Sequence, residues 1–277
     1  MQFVTIAENK PYFQWQIELL IESFKLLNLQ DNLHIFLIDK NQKKFNKNLD
    51  NHKNCYYIQN KSPKFGFNYY NFFESIIFFK QNNPDKDFCL IDTDLIITNF
   101  DFSFFQDKNI FYQTEMVKKD YIDQVFLSFF KKTVPQICSL IYFTKNLSLE
   151  FFYDSLMLCE TFIMELLKKV SFDVVENDYN LFKYGLLTNI VNQNLKAYTS
   201  FEVVGFPQNN LNKYMFLSYK HDVLPFFNKK SFLFEKDNVL SFYPEDPFKT
   251  LCNLPDFPNC IPLKKVAKAY EGILENV

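Results

Sequence analysis

Glycine is scarce in this chain, with 4 in 277 residues. Loops that wrap a phosphate with backbone amides need glycines at close spacing, and neither a Gly-x-Gly-x-x-Gly nor a Walker loop is present. A dinucleotide-binding dehydrogenase and a P-loop kinase are thereby excluded. An excess of positive charge is also missing. The net charge is -2 and the pI about 6.0, which does not indicate a globally basic nucleic-acid binder. The six cysteines, Cys55, Cys89, Cys138, Cys159, Cys252 and Cys260, contain no Cys-x-x-Cys pair, so a structural zinc site is not expected. They read as reduced thiols, Cys89 and Cys159 acting as small hydrophobes. Cys252 and Cys260 could pair in an oxidising compartment, but nothing requires it. No run of 18 apolar residues exists. The most apolar long segment, 147–167, is broken by Glu150, Asp154, Glu160 and Glu165, and reads as an amphipathic helix rather than a membrane span. No basic and then apolar leader precedes the first strand, so a cytoplasmic protein is expected.

What remains is ordinary for a globular chain, 48% apolar and 22% charged. The 36 phenylalanines reflect coding bias of an AT-rich genome as much as function, as do the asparagines and lysines. Lys40, Lys43, Lys44, Lys47, Lys53, Lys61 and Lys64 crowd between the first strands. A solvated loop is favoured there over an anion-binding face.

The first half alternates strands and helices. Strands are expected from Phe3 to Ala7, Leu33 to Ile38 and Cys55 to Ile58. Helices are expected from Pro11 to Leu29, with Trp15, Leu19, Ile21, Phe24 and Leu27 on one broad apolar face, and from Asn68 to Lys80, closed by Asn82-Asn83-Pro84. Later strands are expected near 110–113, 136–144 and 196–204, and helices over 148–170, 178–192 and 263–274. The spacing predicts an α/β fold, a mostly parallel sheet flanked by helices, in one domain over residues 1–277.

Asp87 to Thr98 carries the most information. An apolar, β-prone run ends in Asp92 and Asp94, one residue apart, and a second apolar run follows. Carboxylates at the end of a buried strand are costly unless they hold something. As i and i+2 of a strand they would share a side and converge on one ligand. A divalent cation with a diphosphate suits them, because hard oxygens suit Mg2+ and Mn2+. The competing reading is a solvated strand end.

Three blocks resemble the hydroxyproline O-arabinosyltransferases and the related peptidyl-serine galactosyltransferases. They are Glu8-Asn9-Lys10-Pro11-Tyr12-Phe13-Gln14-Trp15-Gln16, Lys64-Phe65-Gly66-Phe67-Asn68-Tyr69-Tyr70-Asn71-Phe72-Phe73, and the Asp-x-Asp segment itself. The resemblance covers roughly the first 100 residues. The plant enzymes commonly have Glu where this chain has Asp92, and the tail beyond matches poorly. A Golgi anchor of the kind those enzymes carry is not expected. The resemblance implies a Rossmann-like GT-A glycosyltransferase, with residues 1–100 binding a UDP-linked nucleotide sugar and residues 101–277 the acceptor. It implies that Asp94 binds Mn2+ or Mg2+, and that Asp92 holds metal or ribose hydroxyls with Thr93 between them. Ala7, Glu8 and Asn9 would line the nucleotide pocket, Tyr12 would stack on the base, and Lys64 and Asn71 would approach the donor. His221, in Tyr219-Lys220-His221-Asp222, is either a third metal ligand or a surface histidine, and Lys220 either meets the diphosphate or is solvated. Trp15 is read as core. Glu176 and Asp178 compete as the carboxylate at the acceptor hydroxyl, while Asn177 or Asp178 could equally cap a helix. The acceptor is a glycan, a protein hydroxyl or a hydroxymethylated base of viral DNA. The rival readings are a metal-dependent nucleotidyltransferase or phosphatase, and an inactive sugar-nucleotide-binding module.

Overall fold

The computed structural model describes residues 1–39, 49, 51–59, 68–115, 136–172, 175, 181–200, 204–205, 215–218, 247–254, 256 and 260–274. In chain order they form β1 (Gln2–Glu8), α1 (Pro11–Lys25), β2 (Leu33–Asp39), β3 (Cys55–Gln59), α2 (Asn68–Asn82), β4 (Phe88–Ile91), β5 (Leu95–Ile97), β6 (Ile110–Glu115), β7 (Gln136–Phe143), α3 (Leu149–Leu166), α4 (Leu181–Asn192), β8 (Ala197–Ser200), β9 (Val204–Gly205), β10 (Phe216–Ser218), α5 (Pro247–Cys252) and α6 (Ile261–Leu274). Seven strands make the main sheet, in the order β3-β2-β1-β4-β7-β6-β8. Only β7 runs against its neighbours, antiparallel to both β4 and β6. The other pairings are parallel, so the sheet is mostly parallel, as expected. A second sheet of three strands is ordered β5-β10-β9.

Alternation along the strands builds the layers. Val4, Ile6, Phe36, Ile38, Phe88 and Leu90 face α2, α3 and α4 in one core. Phe3, Ala7, Leu33, Ile35, Leu37, Cys89 and Ile91 face α1 in the other. Both faces are covered, so the central strands are apolar throughout. A third cluster lies behind α1, where Trp15 and Leu19 pack with Ile96, Leu217 and residues of α5 and α6. Helix α1 is thus buried from Trp15 to Phe24, on all sides rather than along one face. Trp15 is core, as read. Leu27 is exposed and does not join the apolar face.

Most elements lie where the sequence placed them, with informative differences at their ends. Helix α1 stops at Lys25 rather than Leu29. Asn28 takes a left-handed φ of 55°, and the Leu29 amide donates to the Phe24 carbonyl at 2.9 Å, a stop in which Asn replaces glycine. Helix α2 runs on to Asn82, and the buried Lys80 ammonium donates to the carbonyls of Pro84 and Lys145. Helix α3 starts behind Ser148, whose hydroxyl accepts from the Phe151 amide, and ends at Leu166. The largest correction concerns the two aspartates. β4 ends at Ile91, and residues 92–94 form a turn into β5, which belongs to the other sheet. Asp92 and Asp94 are not strand neighbours. Among the described residues no helix is long and apolar enough to cross a membrane, and Cys252 and Cys260 are buried in the third cluster.

Candidate functional site

The chain leaves β1 toward β2 and β3 on one side, and β4 lies on the other. The sheet therefore has a switch point between β1 and β4, where strand ends open a crevice. Glu8 ends β1 there, and Asp92 follows β4. A cleft of about 320 Å³ occupies the crevice. Its walls are Ile6, Ala7 and Glu8 of β1, Tyr12, Phe13 and Gln16 of α1, Ile38 of β2, and the segment from Leu90 to Asp94. Phe72 of α2 and Phe182 and Lys183 of α4 complete it.

The Asp92-Thr93-Asp94 turn is held from three directions. The Asp92 amide donates to the Ser139 carbonyl at 3.0 Å. Ser139 itself has a left-handed φ of 49°, where the β6–β7 register shifts between Tyr112 and Thr114. A bulge with a non-glycine residue in this region stores on the order of 1–2 kcal/mol of strain, and bulges of this kind re-aim a neighbouring segment. The Thr93 hydroxyl donates to Gln16 Oε1 at 3.0 Å, and Gln16 Nε2 donates to the Tyr12 carbonyl at 2.7 Å. Past the turn, the Ile97 amide donates to Ser23 Oγ at 3.1 Å. Helix α1 thus positions both the turn and the strand that follows it. Thr93 and Asp94 are buried and Asp92 is half-buried.

Of the residues singled out from sequence, Ala7, Glu8, Tyr12, Asp92, Thr93 and Asp94 meet in this one cleft. Asn9 does not line it. Its amide donates to the Ile38 carbonyl, its Nδ2 to Asp39, and its Oδ1 accepts from Gln14, so it ties the ends of β1 and β2 to the start of α1. Asn71 is fully buried in α2 beside the lining residue Phe72, and does not itself line the cleft. Lys64, Glu176, Asp178, Lys220 and His221 lie outside the described residues. Three lining features were not read from sequence. Gln16 carried a signal, a polar residue inside an otherwise apolar helical run. Phe72 and Phe182, stacked at 4.5 Å between centroids and 7° between planes, were hidden among many phenylalanines. Lys183 looks like any helical lysine.

The cleft is acidic at the strand ends. Glu8 is buried and pairs with the exposed Lys10. Asp92 and Asp94 stand in the adjoining turn. Among the described residues no group of three or more His, Cys, Asp or Glu could hold a metal ion. Two aspartates fit a cation that takes one or two carboxylates together with the phosphate oxygens of a substrate, which is how Mg2+ is usually held.

No family model matches the chain, and no curated protein matches it. Among solved structures, it is similar to the galactosyltransferase LgtC in complex with donor and acceptor sugar analogues, with 8% identity and a TM-score of 0.44, over 75% of this chain and 76% of that one. It is also similar to a glycosyltransferase involved in glycosylation of the major capsid of PBCV-1. There the identity is 8% and the TM-score 0.41, over 79% of this chain and 93% of that one.

Proposed function

We propose that this protein is a metal-dependent glycosyltransferase of the GT-A type that moves a sugar from a UDP-linked donor to a hydroxyl acceptor. The observation that carries the reading is the Asp92-Thr93-Asp94 turn, lining the cleft beside Glu8 and Tyr12 at the switch point of a mostly parallel sheet. Ligands of such sheets bind outside the carboxyl ends of the strands. A pair of aspartates there suits a divalent cation, and a cation there suits a diphosphate.

Asp94 and Asp92 would hold Mn2+ or Mg2+, with His221 as the candidate third ligand; when bound, the ion supplies charge stabilisation to the departing diphosphate. Gln16 fixes the turn through Thr93, so the carboxylates need no reorganisation as charge develops. Tyr12, on the first turn of α1, offers a ring to the base, edge-to-face against Phe13. Ala7 and Glu8 close the end of the pocket, with the buried Glu8 carboxylate as an acceptor for donor hydroxyls. Lys64 and Lys220 remain donor-side candidates. Glu176 or Asp178 takes the acceptor's proton in an inverting reaction, or stabilises the oxocarbenium-like transition state in a retaining one. The acceptor is a glycan, a protein hydroxyl or a hydroxymethylated DNA base.

Thermal stabilisation by UDP, GDP, CDP and dTDP, each with and without Mn2+, tests the reading on the wild type and on Asp94→Asn. A rise specific to UDP, dependent on metal and lost in Asp94→Asn, is the expected result. No rise with any of the four nucleotides overturns it.

A further inference from the structure

Among the described residues lining the cleft, Lys183 is the one cation, and the carboxylates are Glu8, Asp92 and Asp94. Its only interaction among the described residues is with the adjacent Phe182 ring, 5.9 Å from the ammonium to the centroid. It forms no ion pair with those carboxylates, so its charge is available to a ligand. It is also rigidly placed. Helix α4 approaches α3 so closely at Gly185 that an added Cβ would lie 2.3 Å from the Ser155 carbonyl oxygen. Asn189 Nδ2 donates to the Phe151 carbonyl and to Ser155 Oγ. Phe182, next in sequence, is buried and stacked on Phe72. A lysine on such an element starts from a fixed backbone, so only its own side-chain rotamers remain to be ordered on binding.

We infer that Lys183 binds the diphosphate of the nucleotide and stabilises it as the leaving group; this rests on the donor-site reading above. In the transfer, the bond between the anomeric carbon and the diphosphate oxygen breaks and its electron pair stays on that oxygen. The acceptor oxygen forms the new bond to carbon, and its proton passes to the carboxylate base. The diphosphate gains one negative charge in the step. The acidic turn cannot meet that charge without its bound cation, whereas Lys183 meets it directly, and more strongly in the transition state than in the bound donor.

The test is titration of wild type, Lys183→Gln and Lys183→Arg with UDP and with uridine, in Mn2+, after melting curves show each variant folded. The expected result is that Lys183→Gln weakens UDP about tenfold or more, as loss of a hydrogen bond to a charged group should. Uridine affinity stays unchanged, and Lys183→Arg retains UDP within a few-fold. Equal UDP affinity in wild type and Lys183→Gln overturns the inference while leaving the donor site standing. Parallel losses for UDP and uridine also overturn it, because they mark a structural effect. A wild type that binds no UDP removes the donor-site reading itself, and this inference with it. Should Lys183→Gln fail to fold, Lys183→Met is titrated in its place against the same outcomes.

Discussion

At the scale of single residues, burial decides which polar groups act on structure and which stay available. His34 is buried in β2, its Nε2 2.9 Å from Gln2 Oε1 and its Nδ1 3.4 Å from the Tyr56 hydroxyl, with Phe79 edge-on at 4.9 Å. Burial, helped by the charge of His52, pushes its pKa down from 6.5 to about 4. The unfolded chain takes up this proton as pH falls through about 6.5, and the folded chain does so only near 4. Between those values the unfolded state binds more protons, so stability rises with pH and falls on acidification. Urea midpoints measured from pH 7 to pH 4 should therefore decline less steeply in His34→Gln than in wild type. Identical slopes would mean that His34 is not held neutral. Gln16 shows the complementary case. It sits fully buried in the most apolar helix of the N-terminal half, and its side-chain amide donates to Tyr12 and accepts from Thr93 at the cleft. A polar residue at a core position was visible in the sequence; its partner, 77 residues away, was not.

At the scale of elements, the cleft depends on helices that do not contain the acidic turn. α3 and α4 pack with backbone in contact at Gly185, and the Cys159 thiol donates to the Leu181 carbonyl at 3.2 Å. Gly185→Ala removes a helix-destabilising glycine, a gain of about 1 kcal/mol. The new methyl, however, meets the Ser155 carbonyl oxygen and the Cys159 Cβ, 2.6 Å away, and neither is the end of a flexible side chain. Overpacking of this kind costs about 1–3 kcal/mol. The expected outcome is a lower melting temperature and weaker UDP binding, because Phe182 and Lys183 move with α4. A Gly185→Ala protein as stable as wild type, with unchanged binding, would show that the two helices are not this close. Element ends were the least legible part of the chain. The apolar pattern of α1 runs through Leu26 and Leu27, but the left-handed Asn28 ends it. The aspartate turn reads as continuous strand because β-prone residues flank it on both sides. Its direction is decided by the Ser139 bulge and by Gln16, both from other elements.

At the scale of the whole molecule, α1 joins the cleft to the C-terminal helices. Its inner side packs on the main sheet and its outer side on α5 and α6, where Tyr270 donates to the buried Glu18. Trp15, the single tryptophan of the chain, sits in that outer cluster at 6% exposure together with Phe248, itself stacked on Tyr270. Phe248→Ala should cost about 3 kcal/mol or more by opening a cavity. It should also shift the tryptophan emission to the red. Because the same helix carries Tyr12 and Gln16, metal-dependent UDP stabilisation should weaken in parallel. Unchanged emission would place Phe248 away from Trp15. The alternation of strands and helices, the β-prone runs and the Asp-x-Asp pair were all legible from local pattern, because hydrophobic periodicity and turn chemistry act over a few residues. That local pattern determined the α/β class and the core character of Trp15, and placed Ala7, Glu8, Asp92 and Asp94 at the ends of β-prone runs; a pocket shared by Ala7, Glu8 and Tyr12 was what the resemblance implied. Tertiary structure alone decided that Asn9 serves as a brace, that the aspartates stand in a turn, and that Gln16, Phe182 and Lys183 meet them. Those outcomes depend on contacts between elements far apart in sequence, set by the packing of whole layers rather than by any local preference.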